Sequence, residues 1–193
     1  MKLIFALLFV AASVLSFAQS EVMLRQDYGV NGPSTTVSIY ETKTGLEFWG
    51  FNFDTKAPDL EIGKLWRVNS TKQKGTLLLG GYYASFPTTS QRFLLPFAVW
   101  NTGGTGVQFS GAMGYYNPIS AGNEFKALFS DGIRVTAPLA KGYRGGIEAS
   151  FFALKGEAPA FWVGPTVTHG SWTTRVQVNP ETRAVRYRWE LRF

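Results

Sequence analysis

The stretch Val185-Arg186-Tyr187-Arg188-Trp189-Glu190-Leu191-Arg192-Phe193 alternates without a break. In an extended chain Val185, Tyr187, Trp189, Leu191 and Phe193 fall on one face, and Arg186, Arg188, Glu190 and Arg192 fall on the other. Four charges on one face do not fit the core of a soluble sandwich. They do fit a membrane barrel, whose strands turn an apolar face to lipid and a polar face to a wet lumen.

The run ends on Phe193 after apolar or aromatic residues at every second position, Tyr187, Trp189 and Leu191. This resembles the C-terminal signal of bacterial outer-membrane barrels, which implies the barrel-assembly machinery as a partner. The other end agrees. Met1-Lys2 precedes an apolar run from Leu3 to Phe17, and Ser16-Phe17-Ala18 supplies small residues for cleavage, so residues 1–18 read as a secretory signal peptide and 19–193 as the mature domain. The run is short for a spanning helix, which needs about 20 apolar residues. No later run is long enough either. A membrane location therefore requires a closed barrel, the one sheet with no unpaired edge in lipid.

The chain has 193 residues, enough for one domain, and no Cys, which removes disulfides, thiolate metal sites and Cys nucleophiles. Aromatic content of 16% and 21 glycines suit aromatic girdles and tight turns. The net charge of +6 is spread thinly along the strands with no basic helix or dense cluster, which argues against nucleic acid as a partner. No cofactor or metal motif stands out.

Hairpins can be tested by parity, because facing residues across a hairpin point to the same side of the sheet. A two-residue turn at His169-Gly170 pairs Val167 with Trp172, Val163 with Val176 and Phe161 with Val178. A loop at Ala140-Lys141-Gly142 pairs Leu139 with Tyr143, Val135 with Ile147 and Ile133 with Ala149, and sets Arg134 opposite Glu148 on the polar face. Ser130-Asp131-Gly132 reads as a further turn with Phe129 facing Ile133. Lys43-Thr44-Gly45 reads as another, with Ile39 facing Trp49 and Val37 facing Phe51 outside, and Tyr40 with Phe48, Ser38 with Gly50 and Thr36 with Asn52 inside. Leu60, Ile62, Trp66 and Val68 alternate with Lys64 out of place. Val107, Phe109, Met113 and Tyr115 point outward. Residues 76–86 and 91–100 are apolar on both faces.

The expectation is an all-β chain: one closed antiparallel transmembrane barrel with short turns and no helix after the signal. Counting back from Phe193 gives twelve strands as far as Ser34, with Val22 to Val30 as a thirteenth candidate. Barrels of this kind have even strand numbers, so either the Val22 segment is not a barrel strand or two short strands are one. Twelve is adopted, with eight longer strands as the alternative.

On these assignments Arg67, Arg92, Arg134, Arg144, Arg175, Arg186, Arg188 and Arg192 line the lumen, together with Glu61, Glu124, Glu148, Glu190 and Lys126. Arginine exceeds acid, and Arg-lined pores favour anions. A small arginine-lined barrel of twelve strands resembles the oligogalacturonate-specific porins in architecture. That likeness implies a passive outer-membrane channel for small, anionic solutes. A barrel filled by its own Arg–Glu pairs is the alternative. A second alternative comes from His169-Gly170-Ser171, which resembles the His-x-Ser pair of outer-membrane lipid A deacylases. Trp172 stands where that family has Asn, and parity puts His169 in the turn, off the strand face of Ser171. No catalytic residue is therefore assigned.

Overall fold

Strands rich in β-branched and aromatic residues on one face are what such alternation specifies. The protein is described here by a computed structural model. It describes residues 20–29, 32–51, 53, 58–69, 75–87, 91–119 and 126–192, and all of its regular structure is strand. The signal segment 1–18, Glu124, Asn52 and Phe193 lie outside the described residues.

Twelve strands close into one barrel: β1 (Ser20–Gly29), β2 (Gly32–Glu41), β3 (Leu46–Phe51), β4 (Asp59–Arg67), β5 (Thr76–Phe86), β6 (Gln91–Gly103), β7 (Val107–Pro118), β8 (Lys126–Ala140), β9 (Tyr143–Leu154), β10 (Ala160–His169), β11 (Trp172–Val178) and β12 (Val185–Arg192). Each pairs antiparallel with its neighbours in sequence. β1 and β12 close the ring, with Val22 opposite Leu191, Leu24 opposite Trp189 and Arg25 opposite Arg188. The expected number is observed, but the set differs from the count that started at Ser34. The Val22 segment is a barrel strand, and the two short strands either side of Ser130-Asp131-Gly132 are one, β8.

That proposed turn fails for a clear reason. A three-residue loop and an uninterrupted strand both put Phe129 and Ile133 on the same face, so parity cannot tell them apart. Both partner strands run straight past the site: Asp131 pairs with Gly111 on β7 and with Phe151 on β9.

The β2–β3 connection differs by one residue. It spans residues 42–45, and the Glu41 carboxylate closes it by accepting the N–H groups of Lys43 (2.8 Å) and Thr44 (2.6 Å) and the Thr44 hydroxyl. Gly45 supplies the positive φ of 75°. A one-residue change of register exchanges the faces of a strand. Ser38 therefore faces Trp49, Tyr40 faces Glu47 and Ile39 faces Phe48, and Trp49 and Glu47 point inward.

The His169 turn moves by one residue, which shifts the pairing by two, keeps the faces and changes the partners. Gly170 (φ 54°) and Ser171 form the turn, and His169 ends β10 directly opposite Trp172. The Lys141 hairpin has the expected register, with Arg134 opposite Glu148 and Val135 opposite Ile147, and Leu139 is taken up in a bulge before Tyr143.

Many large apolar side chains are exposed, including Ile62, Trp66, Leu94, Met113, Ile147 and Trp189. Lys64 joins this face by laying its ammonium over the Trp66 ring at 5.3 Å. A closed barrel with this exterior is a transmembrane barrel. Ile147→Arg, outward at the middle of β9, is expected to cost about 2–4 kcal/mol of stability in lipid vesicles. Ser150→Arg, inward on the same strand, should cost much less. Equal losses in urea unfolding would contradict the assignment of faces.

Candidate functional site

The inward face of the barrel divides into two arcs of opposite character. The first runs over β8–β12 and β1. Its axis is a row of directly opposed residues across neighbouring strands: Thr166, Arg175, Arg188, Arg25 and Thr36. Like charges opposed in this way repel. Carboxylates on the adjoining rows compensate.

Arg175 Nε donates to Glu148 Oε2 at 2.7 Å, and its two terminal nitrogens meet Glu190 at 2.6 and 2.8 Å. Arg134 Nε reaches the same Glu148 oxygen at 2.6 Å and also donates to Gln108. Arg188 adds a contact to Glu190 at 2.8 Å. Asp27 takes Arg186 on one oxygen (2.7 Å) and Arg25 on the other (3.1 Å). The Arg186 guanidinium lies over the Trp162 ring at 3.9 Å. Five guanidinium groups thus share three carboxylates, and the arc keeps an excess of positive charge.

The other expected arginines are peripheral. Arg144 binds the hydroxyl and carbonyl of Thr136 near the β8–β9 turn. Arg192 pairs with Glu21 at 3.1 Å where β12 ends. Arg67 is exposed and donates to the Gly75 carbonyl at the end of β4. Lys126 lies at the opposite rim, 3.8 Å from Glu157. Arg92 does not line the lumen. Its neighbours Phe93 and Leu95 are almost fully buried inside the barrel, which forces Arg92 onto the outward side. Alternation gave no guide there, because β6 is apolar on both faces.

The second arc, over β3–β7, is the part that alternation left unread. Leu65, Tyr82, Ala84, Phe93 and Leu95 form a buried cluster inside the barrel, flanked by Tyr40, Trp49, Phe86, Phe97 and Tyr116. Two carboxylates are set into it. Glu61 accepts the Tyr116 hydroxyl at 2.9 Å, and Glu47 accepts the Tyr82 hydroxyl. Glu61 was expected inside. Glu47 was missed through the exchanged faces of β3. The two-faced apolar character of 76–86 and 91–100 was the available signal: strands apolar on both sides in a barrel have something apolar to fill.

His169 faces outward and stacks on Tyr143, with ring centroids 4.1 Å apart and Trp172 beside them. It is an end-of-strand girdle residue rather than a turn residue. Ser171 lies in the turn, its carbonyl taking the Arg192 N–H. Among the described residues no three His, Asp or Glu side chains gather as a metal site.

No family model matches the chain, and no curated protein matches it by sequence. Solved structures do. The KdgM porin is similar with a TM-score of 0.55 at 13% identity, covering 90% of this chain and 98% of that one. The KdgM porin in complex with disordered oligogalacturonate gives 0.57 at 13% identity with the same coverage, and the NanC porin gives 0.53 at 10% identity, again over 90% and 98%. At these identities the likeness is one of fold, and it spans nearly the whole of each barrel.

Glu148→Ala takes one of two carboxylates from the buried Arg175, which keeps Glu190, and leaves Arg134 with Gln108. Removing one partner from a buried pair costs about 3–5 kcal/mol, whereas Glu21→Ala at the exposed rim should cost about 1 kcal/mol or less. Denaturant unfolding of the two variants should separate by that margin, and a Glu148→Ala barrel as stable as the parent would remove Glu148 as the centre of the network.

Proposed function

We propose that the protein is a narrow outer-membrane channel of the porin type that passes small anionic solutes along its arginine wall. The observation that carries this reading is the surplus of guanidinium groups over carboxylates on one side of the lumen. Fixed positive charge in a pore favours anions. The shared fold with porins supports it, as does the complex of one of them with oligogalacturonate, whose name marks it as an anion.

The arginines divide by their surroundings. The Arg175 side chain is 2% exposed and held between two carboxylates, so it holds the wall together. Arg188 is 30% exposed and makes a single carboxylate contact, and Arg134 is 20% exposed. Arg188, Arg25 (23% exposed) and Arg134 are the groups a passing anion meets.

On this reading residues 1–18 direct export in a Gram-negative cell and are cleaved after Ala18. The outward side chains Tyr187, Trp189 and Leu191, followed in sequence by Phe193, then serve recognition by the barrel-assembly machinery. An enzymatic role finds no support in the placement of His169 against the outer girdle.

A second reading, the filled barrel, is favoured by the aromatic cluster that occupies the β3–β7 side of the lumen. Planar-bilayer recording separates the two. A channel gives discrete conductance steps, with reversal potentials in a salt gradient on the anion side. Arg188→Ala should reduce that anion preference while the cold and boiled gel mobilities of the folded barrel stay as they were. A heat-modifiable barrel that never conducts would establish the filled reading instead.

A further inference from the structure

The apolar alternation of the lipid-facing wall breaks inside two strands. Lys64 stands between Ile62 and Trp66 on β4, and Asp131 stands between Phe129 and Ile133 on β8. The other charged outward positions among the described residues, Glu41 and Arg92, lie at or next to strand ends. Asp131 faces Gly111 on β7 and Phe151 on β9. Phe129 and Phe151 are exposed around it, and the Trp100 ring covers Gly111, where a Cβ would strike it. The carboxylate is exposed and accepts the N–H of Gly132 at 2.8 Å. No ion pair among the described residues includes it. Lys64 has the Trp66 ring for a neighbour and no carboxylate. Charge that faces hydrocarbon costs stability, and ionisable groups at membrane depth pair with one another.

The two charges lie at one depth. The ladder row that starts at Arg67, the last residue of β4, runs through Leu78, Val99, Ala112, Ser130 and Phe152 to Ala160, the first residue of β10. Rows therefore climb from the rim where β4 ends to the rim where β10 begins. With a tilt of about 40° and a strand spacing of about 4.8 Å, the four steps from β4 to β8 climb about 12 Å. Lys64 lies three residues before Arg67 and Asp131 one residue after Ser130, and these four residues of strand return about 10 Å. Across the wall the two are about 19 Å apart, four strand spacings, so they cannot meet in one barrel.

We propose that copies of this barrel pack side by side in the membrane, with Lys64 of one copy on Asp131 of the next. Charge complementarity at equal depth selects a second copy as the occupant. Ile62 and Trp66 around the ammonium, and Phe129 and Phe151 around the carboxylate, keep the pair away from water. The two faces differ, so the contact is heterologous, and equal depth lets it close as a ring about the membrane normal. A two-fold pair would need both faces on one patch. Their separation by four strands of the twelve excludes that, so the ring holds more than two copies.

The chain has no Cys, so thiols can be placed at chosen sites. Ile62 and Phe129 are exposed and lie one outward step from Lys64 and Asp131, toward the same rim, because β4 and β8 run in the same direction. The full mature chain carrying Ile62→Cys and Phe129→Cys is reconstituted in phosphatidylcholine vesicles and oxidised with copper phenanthroline. Covalent multimers beyond the dimer are expected, because each copy offers one thiol to each neighbour. Either substitution alone should leave single chains. Adding Lys64→Asp should abolish the multimers, and adding Asp131→Lys to that chain should restore them, with the heat-modifiable gel shift retained throughout. Single chains from the double-thiol barrel would assign Asp131 to a lipid headgroup or another protein and overturn the proposal. Equal linking of the single-thiol chains, indifference to Lys64→Asp, or no restoration by the exchanged pair would overturn it as well. The readout needs no conductance, so it stands or falls separately from the channel reading.

Discussion

Everything in this barrel follows from the requirement that no backbone N–H or C=O be left unpaired in hydrocarbon. The requirement is met only when β1 finds β12. Once the sheet closes, each strand has one face toward lipid and one toward the lumen, and the alternation of the sequence becomes a map of outside and inside. Closure also fixes the interior size. A barrel of eight strands is filled by its own side chains, but twelve enclose more room. The interior must then be filled, left wet, or divided.

This chain divides it. The β3–β7 arc is packed with Leu65, Tyr82, Phe93 and Leu95. The facing arc carries an ionic ladder in which Glu148, Glu190 and Asp27 each hold two guanidinium groups. Packing in the ladder depends on small neighbours. Gly164 faces Glu148 across the β9–β10 ladder, and a Cβ there would run into the backbone of Val176 and Gln177. Any larger residue would force apart the strands that bring Glu148 to Arg175.

Where one face was polar and the other apolar, the sequence could be read residue by residue. β12 has the faces expected of it, and the opposition of Arg134 and Glu148 was visible from alternation and one glycine turn. The failures have separate physical causes. The continuity of β8 was hidden because an odd-length loop preserves parity. The faces of β3 were exchanged because the Glu41 side chain closes a loop one residue longer than glycine spacing implied. Arg92 was misplaced because its strand is apolar on both sides, so alternation held no information there. That same lack of contrast marked the filled half of the lumen, which only tertiary packing could reveal.

The filled half does more than narrow the lumen. Charge–charge interactions weaken with the dielectric around them, and an aromatic wall offers little polarisation compared with water. In the proposed channel, an anion moving beside Arg188 and Arg134 would have that wall, rather than a wide aqueous space, on its other side. Low-dielectric walls concentrate the field of fixed charges in the space between them. A modest surplus of guanidinium groups therefore acts more strongly here than it would in a wide, fully wet pore. The aromatic cluster that argues for a filled barrel and the arginine ladder that argues for a channel are then parts of one arrangement, in which the packing on one side sets the strength of the charge on the other.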